Sequence, residues 1–312
     1  PYDPWFAGGF LNYYYFGFVI VGTLVHPTGI APATAYNLAV PTLFALTALG
    51  AWCVAFNLVA IAKSATTEEK SDTPEPFLRR ERRAIATGLA AAAFVVLLGP
   101  ITQALWFLPG SAKADPTLPA DCQQLTTYAS QQACRGRSEW AFWDATRLVG
   151  MSQQDSTINE FPFFTFLFAD MHAHMMSLPL ALLALGLMVA LIKGATPPGE
   201  RRWRFDGAHV LAIALLALVI GALRATNTWD FPAYLALGML TLGLLAWRRL
   251  QLGASMPHTA LAWLGGALAL LVGSSMLFLP FLRSFATDYA GFELWRGTRT
   301  SAADILRING LW

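Results

Sequence analysis

Glu160, Asp170, His172 and His174 fall within one string, NEFPFFTFLFADMHAH, at residues 159–174. The string leads into a long apolar run through Leu178 and Pro179. Ionisable groups at the edge of such a run are costly unless they are used or paired. A carboxylate beside an imidazole suits a divalent metal ion or proton transfer, so Asp170, His172 and His174 are candidate metal ligands. The same three residues, with Glu160 as a further carboxylate, are candidate acid–base groups. On a helix Asp170 and His174 would share a face, whereas His172 and His174 share one only in an extended chain. The plainer reading keeps both histidines as hydrogen-bonding residues.

Three other clusters carry similar chemistry. In PYDPWFAGGFLNYYYFG, Asp3 stands among turn formers, followed by the aromatic triplet Tyr13, Tyr14 and Tyr15. Asp3 could take up a proton or bind a cation, but a turn or capping role is the stronger reading. In FWDATR, helical spacing puts Trp143 and Arg147 on one face, where the planar guanidinium fork matches phosphate oxygens. An Asp144–Arg147 ion pair is the structural alternative. In RATNTWDFP, Arg224 could reach an anionic headgroup or simply extend toward water, and Trp229 brings a ring to the same turn. Asn227 and Asp230 read chiefly as caps for the helix that follows, with Pro232 in its first turn.

What must position these groups is a membrane. Hydrophobic residues make up 55% of the 312-residue chain and charged residues 13%, with a mean hydropathy of +0.47. A soluble domain carries about 25% charged residues. Spanning a hydrocarbon core needs roughly 20 apolar residues, and six stretches approach that length: Tyr36–Ala62, Arg83–Leu108, Met175–Ile192, Ala208–Leu223, Phe231–Trp247 and Thr259–Leu282. Helices are the form such runs take in lipid, because the backbone must bond to itself. The expected fold is all-α, a polytopic integral membrane protein with about six transmembrane helices, interfacial helices and a long outer loop.

Lys and Arg mark cytoplasmic loops. Lys70, Arg79, Arg80 and Arg82 lie in one connection, Arg201 and Arg202 in another, and Arg248 and Arg249 follow a third span. This parity puts all four motif clusters on the outer side. It also implies that the apolar run Phe10–Val25 does not cross, and is an interfacial helix or helix pair carrying the tyrosine triplet. The chain is expected to divide into an outer segment 1–35, two spans over 36–108 with a cytoplasmic linker at 63–83, an outer loop 109–174, four spans over 175–282 and an outer tail 283–312. The tail adds Arg283, Glu293, Arg296, Arg299 and Arg307 to that side.

Of three cysteines, Cys53 lies inside a span and reads as a small buried hydrophobe. Cys122 and Cys134 share the outer loop, where an oxidising compartment would permit a bridge. The run SATTEEKSDTPEP, from Ser64 to Pro76, is a polar linker without chemistry. No phosphate-binding glycine loop, zinc array or fixed-period repeat is present, and nothing calls for nucleic acid. The start at Pro1 and the stop at Trp312 read as those of a portion of a longer polypeptide.

The strings DPWFAGGFLNYYYFG, FWDATR, EFPFFTFLFADMHAH and NTWDFP, in that order, resemble those of the YYY family of highly hydrophobic archaeal and bacterial membrane proteins. More distantly, LNYYY followed by Gly29 and the Tyr36 span is similar to the outer loop of GT-C glycosyltransferases, which transfer sugars from polyprenyl-phosphate donors. That similarity implies a displacement at an anomeric carbon. A carboxylate would orient or deprotonate the acceptor, with Asp170, His172, His174 and Glu160 as candidates for metal or acid–base work, a cation or Arg147 and Arg224 would hold the lipid phosphate, and Tyr13–Tyr15 and Trp143 would pack on sugar or lipid. The implied partners are membrane lipids and a lipid-linked sugar. The competing expectation is a non-enzymatic subunit that binds other membrane proteins.

Overall fold

The computed structural model describes residues 2–3, 6–66, 81–148, 158–194, 207–285, 294, 296–297 and 299–310. Lys70, Arg79, Arg80, Arg201, Arg202 and Glu293, together with most of the 64–76 linker, lie outside the described residues. Among the described residues every regular element is a helix, and Tyr2 and Phe10 form one isolated antiparallel bridge. In chain order the helices are α1 (Phe16–Thr28), α2 (Pro32–Thr66), α3 (Arg82–Leu97), α4 (Ile101–Leu105), α5 (Ala120–Gln123), α6 (Tyr128–Cys134) and α7 (Trp140–Asp144). There follow α8 (Pro162–Phe168), α9 (Ala173–Gly194), α10 (Gly207–Thr226), α11 (Asp230–Gln251), α12 (Met256–Met276), α13 (Leu279–Ser284) and α14 (Ala302–Asn309). They fall into two compact units, Pro1–Ala93 with Met171–Ala290, and Phe94–Asp170 with Gly291–Trp312.

Five helices are long and apolar enough to cross a membrane: Pro32–Ile61 within α2, then α9, α10, α11 and α12. The expected span Arg83–Leu108 is interrupted. α3 has 16 residues, about 24 Å at 1.5 Å per residue, and the chain leaves the helix before Pro100. Proline has no N–H to donate and pushes the preceding residue, here Gly99, out of helical geometry. The last expected span is likewise divided into α12 and α13 at Leu277 and Phe278. α1, with 13 residues, reaches only about 20 Å, short of the roughly 30 Å hydrocarbon core. Gly29 ends it at φ 65°, its N–H bonding to the Val25 carbonyl, a left-handed closure that glycine adopts without Cβ strain.

Helix direction follows local chemistry. α11 carries Asp230 in its first turn and Arg248 and Arg249 in its last, each sign matched to the nearer pole of the helix dipole. Gly253, at φ 85°, turns the chain, and Pro257 sits in the opening turn of α12, where its missing donor costs nothing. α9 through α12 therefore alternate in direction, and α2 starts at the same end as α9, since the Met171 N–H donates to the Tyr36 hydroxyl at 3.0 Å.

α10 is the centre of this unit. Leu216, Ile220 and Leu223 are fully buried against Ala184 and Leu191 of α9 and Leu270 of α12, with Leu242 and Leu245 of α11 closing the cluster. The outer faces show Leu240, Leu261, Leu264 and Leu268 instead, as expected of helices apolar all round and surrounded by lipid. Lipid tails are as apolar as leucine, so close van der Waals packing rather than water exclusion holds such helices together. Two glycines make that approach possible. A Cβ on Gly17 of α1 would meet the Met176 side chain at 2.5 Å, and one on Gly221 of α10 would meet the Ser274 carbonyl oxygen at 2.5 Å and Phe278 at 2.4 Å. Cys53, read above as buried, is exposed on α2: its side chain lies on a face that no described helix covers.

In the second unit, Trp106, Tyr128, Ala141 and Ala145 form a small core, and α14 packs on α4. Cys122 and Cys134 are bridged with Cα atoms 5.8 Å apart. The Gln131 amide bonds both the N–H and the carbonyl of Lys113, at 2.9 and 3.0 Å, and the Lys113 ammonium sits 4.3 Å from the Tyr128 ring centre. Bonds from the Thr117 hydroxyl and N–H, with Arg135 alongside, hold the Asp115 carboxyl below its ordinary range. Burial, then the bond to Asp144, pushes the Tyr128 hydroxyl well above its ordinary value, so it remains a donor.

Two outcomes test this packing. Gly221→Val should lower stability in detergent by about 1–3 kcal/mol, the range for overpacking a filled interface, while Gly265→Ala, whose added Cβ meets nothing within 4 Å, should leave the melting temperature unchanged. Thiol titration of the denatured, unreduced chain should find one reactive cysteine, Cys53, and three after reduction; three before reduction would exclude the bridge.

Candidate functional site

The histidine motif occupies a helix break. α8 ends at Ala169, whose φ of 58° is left-handed, the one such non-glycine residue among those described. Asp170, Met171 and His172 are non-helical, and α9 starts at Ala173. The expected i, i+4 pairing of Asp170 with His174 on one helix therefore does not arise. His172, just before α9, and His174, in its first turn, have rings 5.2 Å apart. His172 is exposed and His174 half-buried. The His172 carbonyl accepts from the Met176 N–H at 3.1 Å and the His174 carbonyl from the Ser177 hydroxyl at 2.9 Å; these bonds close the first turn of α9.

The tyrosine triplet divides its labour. The Tyr13 hydroxyl lies 3.5 Å from His172 Nε2. Tyr14 and Tyr15 turn instead to Phe285 and Phe281, at ring separations of 5.5 and 5.6 Å. They belong to an aromatic cluster with Phe16, Phe278, Ala222 and Ala225. That cluster fixes the start of α1 against the end of α10, so Tyr13 and the RATNTWD turn belong to one end of the same helix bundle. In the turn, the Arg224 guanidinium stacks on Phe231 at 4.6 Å, and the Asn227 amide donates to Asp230 at 3.1 Å. Trp229 takes the N-cap position of α11 without a side-chain cap bond and is 72% exposed. The capping expected of Asn227 and Asp230 is thus replaced by an Asn227–Asp230 pair placed within the turn. Asp3 folds its own loop: its Oδ1 accepts the Phe6 N–H at 3.2 Å and its N–H reaches the Gly9 carbonyl. This is the turn role favoured for it on sequence grounds.

The second unit holds the remaining cluster, FWDATR, and the start of the histidine string. Arg147 lies 4.3 Å over the Trp143 ring, bonds the Thr146 hydroxyl and pairs with Glu160 at 3.5 Å. Asp144, the partner weighed for Arg147, accepts from the Tyr128 hydroxyl instead. The α7 turn aims Asp144 back into the small core and Arg147 toward the start of α8. Beside this pair lies a hollow of about 310 Å³ walled by Trp143, Phe142, Phe164 and Phe168, with Glu139 and Ser138 at its margin. Asp170, which closes this unit, is exposed.

Two residues in these arrangements were missed on sequence grounds. Tyr36 contributes its hydroxyl at Met171; the signal was a tyrosine at the entrance to an apolar run. Glu139 precedes Trp143 by one helical turn, a spacing that could have been read from the residues alone. Among the described residues, the one group of three His, Cys, Asp or Glu side chains with ligand atoms within 4.8 Å of one another is Asp121, Cys122 and Cys134. Its cysteines are bridged, so it offers no thiolate to a metal. His172 and His174 bring two imidazoles to the bundle end, suited as they stand to proton transfer or hydrogen bonding.

The fold and these sites define a multi-pass α-helical membrane protein, with polar and aromatic groups gathered where its helices begin and end. The chain belongs to the family of uncharacterized membrane proteins designated DUF2298, which it matches over residues 1–312, consistent with the tyrosine-triplet resemblance. No curated protein and no solved structure matches it.

Proposed function

We propose that this protein is a membrane transferase that moves a sugar from a polyprenyl-phosphate donor to an acceptor hydroxyl, with its motif clusters on the outer face of the cell membrane. The observation that carries the reading is the contact of Tyr13 with His172. Two motifs far apart in sequence meet at the bundle end opposite Lys193, Arg248 and Arg249. By the distribution of positive charge, that end faces away from the cytoplasm.

In this reading the His172 imidazole takes the proton of the acceptor hydroxyl, held in orientation by the Tyr13 hydroxyl. The acceptor oxygen bonds to the anomeric carbon as the bond from that carbon to the phosphate oxygen breaks. The electron pair leaves with the polyprenyl phosphate, whose added charge Arg224 offsets. Separately, the aromatic hollow with Glu139 suits the apolar face and hydroxyls of a sugar ring, and Arg147 stacks on Trp143, which walls it.

The exposed Trp229, Phe6 and Phe10 favour the competing reading, a subunit that docks another membrane protein. The two separate in one assay, with the full chain in lipid nanodiscs, a labelled polyprenyl-phosphate hexose and release of polyprenyl phosphate as readout. We expect turnover, a loss of about 100-fold or more in His172→Ala, the range for removing a general base, and a smaller loss in Tyr13→Phe. Turnover unchanged in His172→Ala would remove that residue from the chemistry, and no turnover in the parent chain would favour the docking subunit.

A further inference from the structure

A second site lies at the other end of the bundle, where no sequence motif drew attention. A groove of about 860 Å³ runs along α10 and α12, walled by small residues such as Ala214, Ala217, Gly265 and Ala269. It reaches from Met276 to His258, about 27 Å of helix at 1.5 Å per residue, nearly the thickness of a hydrocarbon core. Among the described residues, Arg249 and His258 are the charged and imidazole groups that line it, both at one end.

That end is built to receive an anion. Arg249 closes the last turn of α11, and His258 lies in the first turn of α12, its Nδ1 engaged by the Ser255 hydroxyl at 2.5 Å, which leaves Nε2 for a ligand. Ser255, the N-cap of α12, makes no side-chain bond to the helix, so the positive pole of a 21-residue helix stands behind the same spot. A smaller hollow of about 30 Å³ adjoins it, sharing Arg249, Ile213 and Ala262 and lined by His209 and Thr259. The Thr259 hydroxyl is buried, at 2% exposure, and has no hydrogen-bond partner. A buried hydroxyl in an apolar bundle is costly until something answers it.

We propose that this groove binds a phospholipid with an anionic headgroup, its phosphate held by Arg249, His258 and Thr259 and one acyl chain extended along α12. The shape accounts for the chain and the sign of the polar end for the head. A zwitterionic lipid would fill the groove equally but bring its own cation against Arg249. The site lies at the end of the bundle opposite Tyr13 and His172 and does not depend on their chemistry.

The test uses the full chain purified in detergent, with phosphatidylglycerol, phosphatidylcholine and inorganic phosphate as separate probes. Retained lipid is read by native mass spectrometry and stabilisation by melting temperature. Phosphatidylglycerol should be retained and raise the melting temperature. Phosphatidylcholine should do so at least tenfold less effectively, and inorganic phosphate alone should do neither. Arg249→Gln combined with His258→Gln should abolish the preference. Gly265→Leu, whose Cβ position is open, should fill the groove and cut retention without lowering the melting temperature of the lipid-free chain, whereas Gly186→Leu, on an open face of α9, should not. Equal retention of the two lipids, an equal shift with inorganic phosphate, or a preference that survives both the double variant and Gly265→Leu would overturn the proposal.

Discussion

In lipid a backbone amide has no water to turn to, so irregular chain and ionisable side chains are confined to places where helices stop. The distribution of polar groups in the helix bundle follows from that constraint. His172 precedes α9 by one residue, Arg224, Asn227 and Asp230 form the turn between α10 and α11, and Tyr13 comes just before α1. At the other end, Lys193, Arg248 and Arg249 close α9 and α11, and His258 opens α12. The helices between are nearly featureless, and that featurelessness forces the chemistry to the two ends.

What holds those ends in place is aromatic and small-residue packing rather than charge. Tyr14, Tyr15 and Phe16 lock against Phe278, Phe281 and Phe285, and Gly17 and Gly221 let neighbouring side chains and backbone close in. Edge-to-face and tilted ring contacts of this kind contribute about 0.5–1.5 kcal/mol each beyond the area they cover. Three consecutive tyrosines thus have unlike roles: two fix the frame and the first is left to meet His172. The second unit uses a disulfide, a compact aromatic core and cations stacked on rings to hold Trp143 and Arg147 beside the Phe164–Phe168 wall.

Much of the fold is legible in the residues, because apolar run length is a direct consequence of bilayer thickness. α9 through α12 appear within a few residues of where the runs place them, and α1, at 13 residues, is shorter than a full span. The exceptions have local causes. Pro100 interrupts α3 inside a run that hydropathy reads as continuous, and α12 gives way to α13 at Leu277 and Phe278 inside another. At the sites, the residue types were legible but the pairings were not. Nothing in ADMHAH shows that Ala169 adopts a left-handed conformation and takes Asp170 off the helix of His174. Nor does FWDATR show that Tyr128, 16 residues earlier, claims Asp144 and leaves Arg147 to Glu160. The groove at Arg249 and His258 is made by absent side chains, and a pattern of alanines and glycines looks like any other transmembrane helix.

The account stands on the two ends of the bundle facing opposite sides of the membrane, with the motif end outward. Cysteine accessibility measures this directly. In a Cys53→Ser background, single Trp229→Cys and Arg249→Cys variants would be exposed to a membrane-impermeant maleimide in intact cells and again after permeabilisation. The account expects Trp229→Cys to react in intact cells and Arg249→Cys only after permeabilisation. Labelling of both from the same side, or of Arg249→Cys alone from outside, would contradict it.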